Sequence, residues 1–318
     1  MSFTVALYDP QEHSEWDAFV GLSRNAALLH RRDYMEYHAD RFPDFSLVAR
    51  DAHGRMAALL PATRSGSTVS SHAGLTFGGW LLPPERTDTV AMLEIWDEAS
   101  RFMASQDVTE LIYKPVPHIY HRYPAEEDLY ALFRAGATLT ARLVSSAIDL
   151  TRPLGFRERG RRNLAAAQRA GVTVAESDRW PDYWAILTAL LHDRYGVAPV
   201  HTLDEITRLH SLLSGHISLW AAFAPHGEML AGTVIYKSPE VWHAQYIAAS
   251  PAGKECGALA AVFRAVHDVA AAAGVRWFDF GTSCERGGHY LNAGLAGQKA
   301  SFGARAVVYD TYRVAIGV

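Results

Sequence analysis

The feature that most limits what this chain can fold into is an approximate internal repeat. Ser46, Leu47 and Ala49 match Ser218, Leu219 and Ala221; after one inserted residue, His53, Gly54, Met56 and Ala58 match His226, Gly227, Met229 and Ala231. Each copy reads as a β-hairpin, two β-prone runs joined by a polar turn that contains His-Gly. The order of later segments also agrees. Ser71-His72-Ala73 and Trp242-His243-Ala244 fall in the next β-like stretch. A helical stretch follows in each half, over 87–106 and 257–273, and each leads into a short apolar strand, over 109–114 and 275–280. Leu259, Val262, Phe263 and Val266 carry the helical spacing in the second copy. Doubling of this kind predicts two α/β domains, 1–152 and 153–318, each a mixed sheet with helices on both faces.

Composition is consistent with that size. The 318 residues suit two domains, and 49% apolar against 20% charged residues supplies a core for each. A formal charge of −4 argues against a protein that coats DNA, while leaving room for a local basic patch. The N-terminus lacks a basic segment followed by an apolar one, and no run of about 18 apolar residues offers a membrane span. Two cysteines, Cys256 and Cys284, are too few for a disulfide framework, so a cytoplasmic setting is expected. No glycine-rich dinucleotide or P-loop signature occurs. His118-x-x-His121 follows a Pro-x-Pro turn, and no H-E-x-x-H is present; neither a metal site nor a permanently bound cofactor is expected. Gly281-Thr-Ser283-Cys-Glu285 lacks the second glycine of a nucleophile elbow, which speaks against Ser283 as a nucleophile, and Cys284 would need a partner histidine that spacing does not identify, so covalent catalysis is not expected.

A three-strand meander followed by a helix and a strand resembles the GNAT acyltransferase fold. Two such units in tandem resemble the Fem family, the aminoacyl-transferases that build peptidoglycan cross-bridges. Three segments carry the likeness: the basic helix from Arg161 running into Gly171-Val-Thr-Val174, the strand and loop Phe278-Asp-Phe-Gly-Thr-Ser283, and the closing Gln298-Lys-Ala-Ser-Phe-Gly303. The resemblance implies transfer of an acyl or aminoacyl group to a primary amine on a small molecule or peptide. The donor it implies is charged tRNA, or acyl-CoA as a co-substrate. A coenzyme A loop of the wider superfamily reads Gln/Arg-x-x-Gly-x-Gly/Ala, whereas here Gly253-Lys-Glu-Cys-Gly-Ala-Leu259 ends in Leu259, so both donors stay open. A non-catalytic GNAT-like protein that binds a nucleotide- or peptide-linked ligand is the alternative. Oligomeric state leaves no mark in the sequence.

Acyl transfer to an amine needs a neutral nucleophile, a stabiliser for the carbonyl oxygen and two substrates held at attack distance. By resemblance, Lys299 is the lysine that contacts the reacting carbonyl. Asp279, set among Trp277, Phe278 and Phe280, must be paired or at a pocket wall, because an isolated buried carboxylate is costly. His243 and Gln245 alternate with Trp242, Ala244 and Tyr246, which predicts one polar and one apolar face for that strand. Lys299, Asp279 and His243 are therefore the catalytic candidates, with Gln245, Tyr246, Ser283 and Glu285 at the substrate. Gly253, Lys254, Gly257 and Ala258 form a turn before a helix, a natural place for donor phosphate. In the first half, His72, Thr76, Lys114 and His118 are candidate acceptor contacts, and Arg161 is a candidate partner for phosphate.

Overall fold

The computed structural model describes residues 3–317. It resolves into two units. The first extends to Val144 and regains Glu285–Tyr290 and the chain from Val308 onward; the second comprises Ser145–Cys284 with Leu291–Val307. The repeat gives no sign of these returns, since a pairing made across such a separation leaves no local pattern.

Both copies of the repeat form the expected hairpin. Leu47–Arg50 pairs antiparallel with Met56–Leu60, and Ile217–Phe223 with Met229–Lys237. Gly54 and Gly227 close the two turns at φ values of 76° and 88°. Only glycine occupies that left-handed region without strain, which is why the His-Gly pair marks both turns.

In the first unit, Thr4–Leu7 completes a three-stranded antiparallel sheet with the hairpin. Helix Thr89–Ser105 begins where the Asp88 carboxylate accepts a hydrogen bond from Ala91 N. It buries Met92, Ile95, Trp96, Ala99 and Met103 along one stripe, which packs on Thr4–Leu7 and Leu47–Arg50. A second set of strands runs in the order Thr63–Ser65, Thr68–Ser70, Glu110–Tyr113, Arg305–Ala315 and Thr138–Asp149. Thr68–Ser70 and Glu110–Tyr113 are parallel.

Beneath this set lies a fully buried polar chain. Trp80 N donates to the Tyr113 hydroxyl at 2.7 Å, and that hydroxyl donates to Asp128 Oδ2 at 2.6 Å. Burial outweighs the hydrogen bond and pushes the Asp128 carboxyl up to about 7. The folded chain therefore holds a proton that the unfolded chain releases. Its stabilising effect is complete below about pH 4 and is lost as pH rises through about 7, at roughly 1.4 kcal/mol per pH unit. Asp128→Asn is expected to flatten that slope, as read by urea unfolding at several pH values across the window.

In the second unit the strand order is Thr173–Glu176, Ile217–Phe223, Met229–Lys237, Val241–Ala249, Trp277–Thr282 and then the end of Thr138–Asp149. Every pairing is antiparallel except that of Val241–Ala249 with Trp277–Thr282. Helix Ala258–Ala272 covers one face through Val262, Phe263 and Val266, in a core shared with Phe278, Phe280 and Phe302. Helix Trp180–Tyr195 packs on Met229–Lys237 and Val241–Ala249. Tyr183 approaches Gly232 so closely that a Cβ there would lie 2.8 Å from its ring.

The expected alternation along Val241–Ala249 fails at one place. The register with Met229–Lys237 slips between Val234 and Ile235, which face Tyr246 and Ala244, so Gln245 is the extra residue of a β-bulge. Trp242 and Ala244 belong to the core under helix Ala258–Ala272, but so do Ile247 and Ala249. Tyr246 instead meets Trp184, with ring centroids 5.3 Å apart. The bulge has moved Tyr246 off the face of Trp242 and Ala244, where strict alternation placed it.

Candidate active site

The parallel ladder between Val241–Ala249 and Trp277–Thr282 consists of three pairs and ends at His243 opposite Asp279. Beyond that point Val241–Ala249 continues, paired only on its Met229–Lys237 side, while Trp277–Thr282 pairs with the strand that carries Ser145. The two strands part, and their facing edges carry no ladder. Catalytic candidates from three elements meet at this fork.

Asp279 is fully buried. Its Oδ1 accepts from the Ser145 hydroxyl at 2.5 Å and from Gly281 N at 3.1 Å. Its Oδ2 lies 2.8 Å from His243 Nδ1. A carboxylate can only accept, so the imidazole donates from Nδ1 and its Nε2 carries the free lone pair. His243 retains 15% side-chain exposure whereas Asp279 has none: the acid is sealed and the base reaches the fork.

Gly281 ties this pair to Lys299. It holds φ at 73°, and a Cβ on it would sit 3.2 Å from His243 Cε1, so a side chain there would strain the backbone and crowd the imidazole. On its other side, the Gly281 carbonyl accepts from Lys299 Nζ at 2.7 Å, and the Thr282 carbonyl accepts from the same nitrogen at 2.8 Å. Lys299 lies in helix Ala293–Ser301, started by the Asn292 side chain accepting from Leu295 N. Only 4% of Lys299 is exposed. Burial lowers its ammonium to about 8, against the opposing pull of Asp279 and Cys284. Two of its three donors are used, which leaves one.

The remaining second-unit candidates are spread around this centre. Ser283 is buried and Glu285 exposed, one on each side of Cys284. Gln245 is half-buried at the bulge. The Tyr246 hydroxyl is hydrogen-bonded to His201 Nδ1 at 2.5 Å, which gives it a bracing position between strand and loop. In the expected phosphate turn, close packing accounts for both glycines. A Cβ on Gly253 would lie 2.0 Å from the Leu230 carbonyl oxygen, and one on Gly257, at φ 75°, would lie 2.5 Å from that of Asn163. Lys254 is exposed and Ala258 buried. Arg161 is exposed on helix Glu158–Arg169.

The first-unit candidates form their own group. Lys114 Nζ donates to the His72 carbonyl at 2.9 Å and also to that of Leu75, and burial lowers its ammonium to about 8. His72 sits at φ 57° with its ring 5.5 Å from that of His38, and burial depresses its imidazole to about 3. Thr76 and His118 are exposed.

Sequence reasoning missed Ser145, which holds the second oxygen of Asp279. A signal was present: Ser145 and Ser146 directly precede Ala147 and Ile148 near the end of Thr138–Asp149, and both serines are buried. Adjacent hydroxyls on a core strand call for a polar partner.

Residues 155–290 match the family described as the acetyltransferase (GNAT) domain. That match lies mostly within the second unit. Over its whole length the chain has the tandem-GNAT fold of the Fem type. FemX matches with a TM-score of 0.70 at 13% identity, over 98% of this chain and 97% of that one. L-PGS from Bacillus licheniformis matches with a TM-score of 0.63 at 13% identity, over 98% and 93%. A tandem GNAT protein from the clavulanic acid biosynthesis pathway matches with a TM-score of 0.52 at 13% identity, over 100% and 99%. No curated protein matches in sequence. No helix among the described residues is long and apolar enough to cross a membrane.

Proposed function

We propose that the protein is an N-acyltransferase whose chemistry runs at the fork between Val241–Ala249 and Trp277–Thr282, with a primary amine as acceptor. The observation that carries this reading is the Asp279–His243 pair at 2.8 Å, set where the strands part and joined to Lys299 through Gly281. An amine arrives as an ammonium ion and must lose a proton before it attacks. His243 Nε2 accepts that proton, while Asp279 fixes the tautomer and steadies the resulting imidazolium. The neutral amine forms the new N–C bond, and negative charge grows on the carbonyl oxygen. The third N–H of Lys299 stabilises that oxygen. Collapse of the adduct breaks the bond to the leaving group, which departs with the proton held by His243, and the second proton of the attacking nitrogen then passes through the freed Nε2 to solvent.

The donor is an activated acyl group, carried as a thioester of coenzyme A or as an ester of tRNA, and the setting is cytoplasmic. The GNAT domain match supports the thioester and the likeness to FemX the charged tRNA. Turnover of a panel of amines with acyl-CoAs and with charged tRNAs tests both. A thioester reaction releases free thiol and ignores ribonuclease; a tRNA reaction is abolished by ribonuclease and weakens steeply with salt. No transfer with either donor, by a protein that still binds its ligands, would return the chain to the class of GNAT-like binding proteins.

A further inference from the structure

Helix Glu158–Arg169 carries a charge excess that the acyl-transfer reading does not use. Arg157, Arg159, Arg161, Arg162 and Arg169 are all exposed, and Glu158 is the single acid among them. Several other arginines are matched: Arg50 with Glu12 and Glu15, Arg142 with Asp310, Arg264 with Asp268. Among the described residues no ion pair involves these five. The chain as a whole is acidic at −4, so a block of uncompensated guanidinium groups is a local feature and not a compositional one.

The packing shows why they face outward. Gly160 and Ala167 are the buried residues of the helix, and a Cβ on Gly160 would lie 2.6 Å from the Ser301 carbonyl oxygen. Close approach at that point turns the opposite side to solvent, where Arg162 and Arg169, seven residues apart, share one stripe with Arg159 beside them. Just ahead of the helix, Leu154 is 64% exposed between Arg152 and Arg157. The only aromatic ring in this segment, Phe156, is packed on Phe302 at 5.2 Å.

We propose that this arginine face, with Leu154 beside it, docks the protein on an anionic lipid surface. Guanidinium groups recognise lipid phosphate, and a bilayer offers an apolar layer that can take an aliphatic side chain. A polynucleotide would match the charge equally well. It has no place for an exposed leucine, and its unpaired bases look for an aromatic platform that this face lacks.

The test is co-sedimentation of the full chain with phosphatidylcholine vesicles, with and without about 30% phosphatidylglycerol, at physiological salt. The expected result is binding to the anionic vesicles only. The joint Arg159→Gln, Arg162→Gln, Arg169→Gln variant should lower the partition coefficient by about a hundredfold, and Leu154→Asp by about tenfold. Unaltered circular dichroism checks that both variants fold. Equal binding to neutral and anionic vesicles, no binding at all, or a triple variant that behaves like the parent overturns the proposal. So does arginine-dependent binding of bulk transfer RNA with no affinity for vesicles, which would assign the face to RNA. No turnover is involved, so the outcome stands apart from that of the acyl-transfer reading.

Discussion

His243→Ala is expected to slow acyl transfer by about 10²- to 10⁴-fold with little change in stability. The imidazole is partly exposed and presents its free nitrogen at the fork, so its loss removes a proton acceptor more than a packing element. Asp279→Ala should be worse in a different way. It leaves the Ser145 hydroxyl and Gly281 N without their acceptor in a fully buried site, which costs about 1–3 kcal/mol for each donor. That variant should therefore lose stability as well as rate. Asp279→Asn separates the two effects, since it keeps the volume but reverses the hydrogen-bond demand on His243 Nδ1 and favours the wrong tautomer. Single-turnover rates beside urea unfolding of the three variants check the ordering. A His243→Ala enzyme with undiminished rate would remove this residue from the chemistry.

Lys299→Met is expected to lower kcat by about 10²- to 10³-fold while KM changes less. The side chain pins the carbonyls of Gly281 and Thr282 and brings a positive charge to the carbonyl under attack. Its pH dependence gives a sharper test. Because burial holds the ammonium at about 8, raising the pH through that value removes the charge. A step that needs the cation is fully supported below about pH 8 and falls above it. The Lys299→Met enzyme should lack this alkaline limb, and Lys299→Arg should displace it upward, because a guanidinium stays charged. Rates from pH 6.5 to about 9.5 with saturating substrates distinguish the three. The same alkaline fall in the methionine variant would show that another group is responsible.

What the sequence allowed to be read follows physical range. The hairpins around Gly54 and Gly227 and the helices Thr89–Ser105 and Ala258–Ala272 rest on turn chemistry and periodicity, which act over a few residues. Asp279 stood out because a carboxylate among aromatic residues demands a partner, and His243 because alternation set it on the polar face of an otherwise apolar strand. That the two are partners was not visible. It depends on a parallel register between segments separated by a whole helix. The face of Tyr246 was misjudged for a related reason, since a single inserted residue at Gln245 resets a period of two without altering composition. Ser145 belongs to the same class, as its role exists only once Thr138–Asp149 lies beside Trp277–Thr282.

The return of the chain to the first unit from Val308 onward bears on how the molecule is made. Glu110–Tyr113 is bordered by Tyr312–Ala315, so that edge waits, during synthesis, for residues made long after it. Until then the nascent chain exposes an unpaired strand, a template for contact with other chains. Fragments cut between the units should therefore aggregate where the intact polypeptide does not.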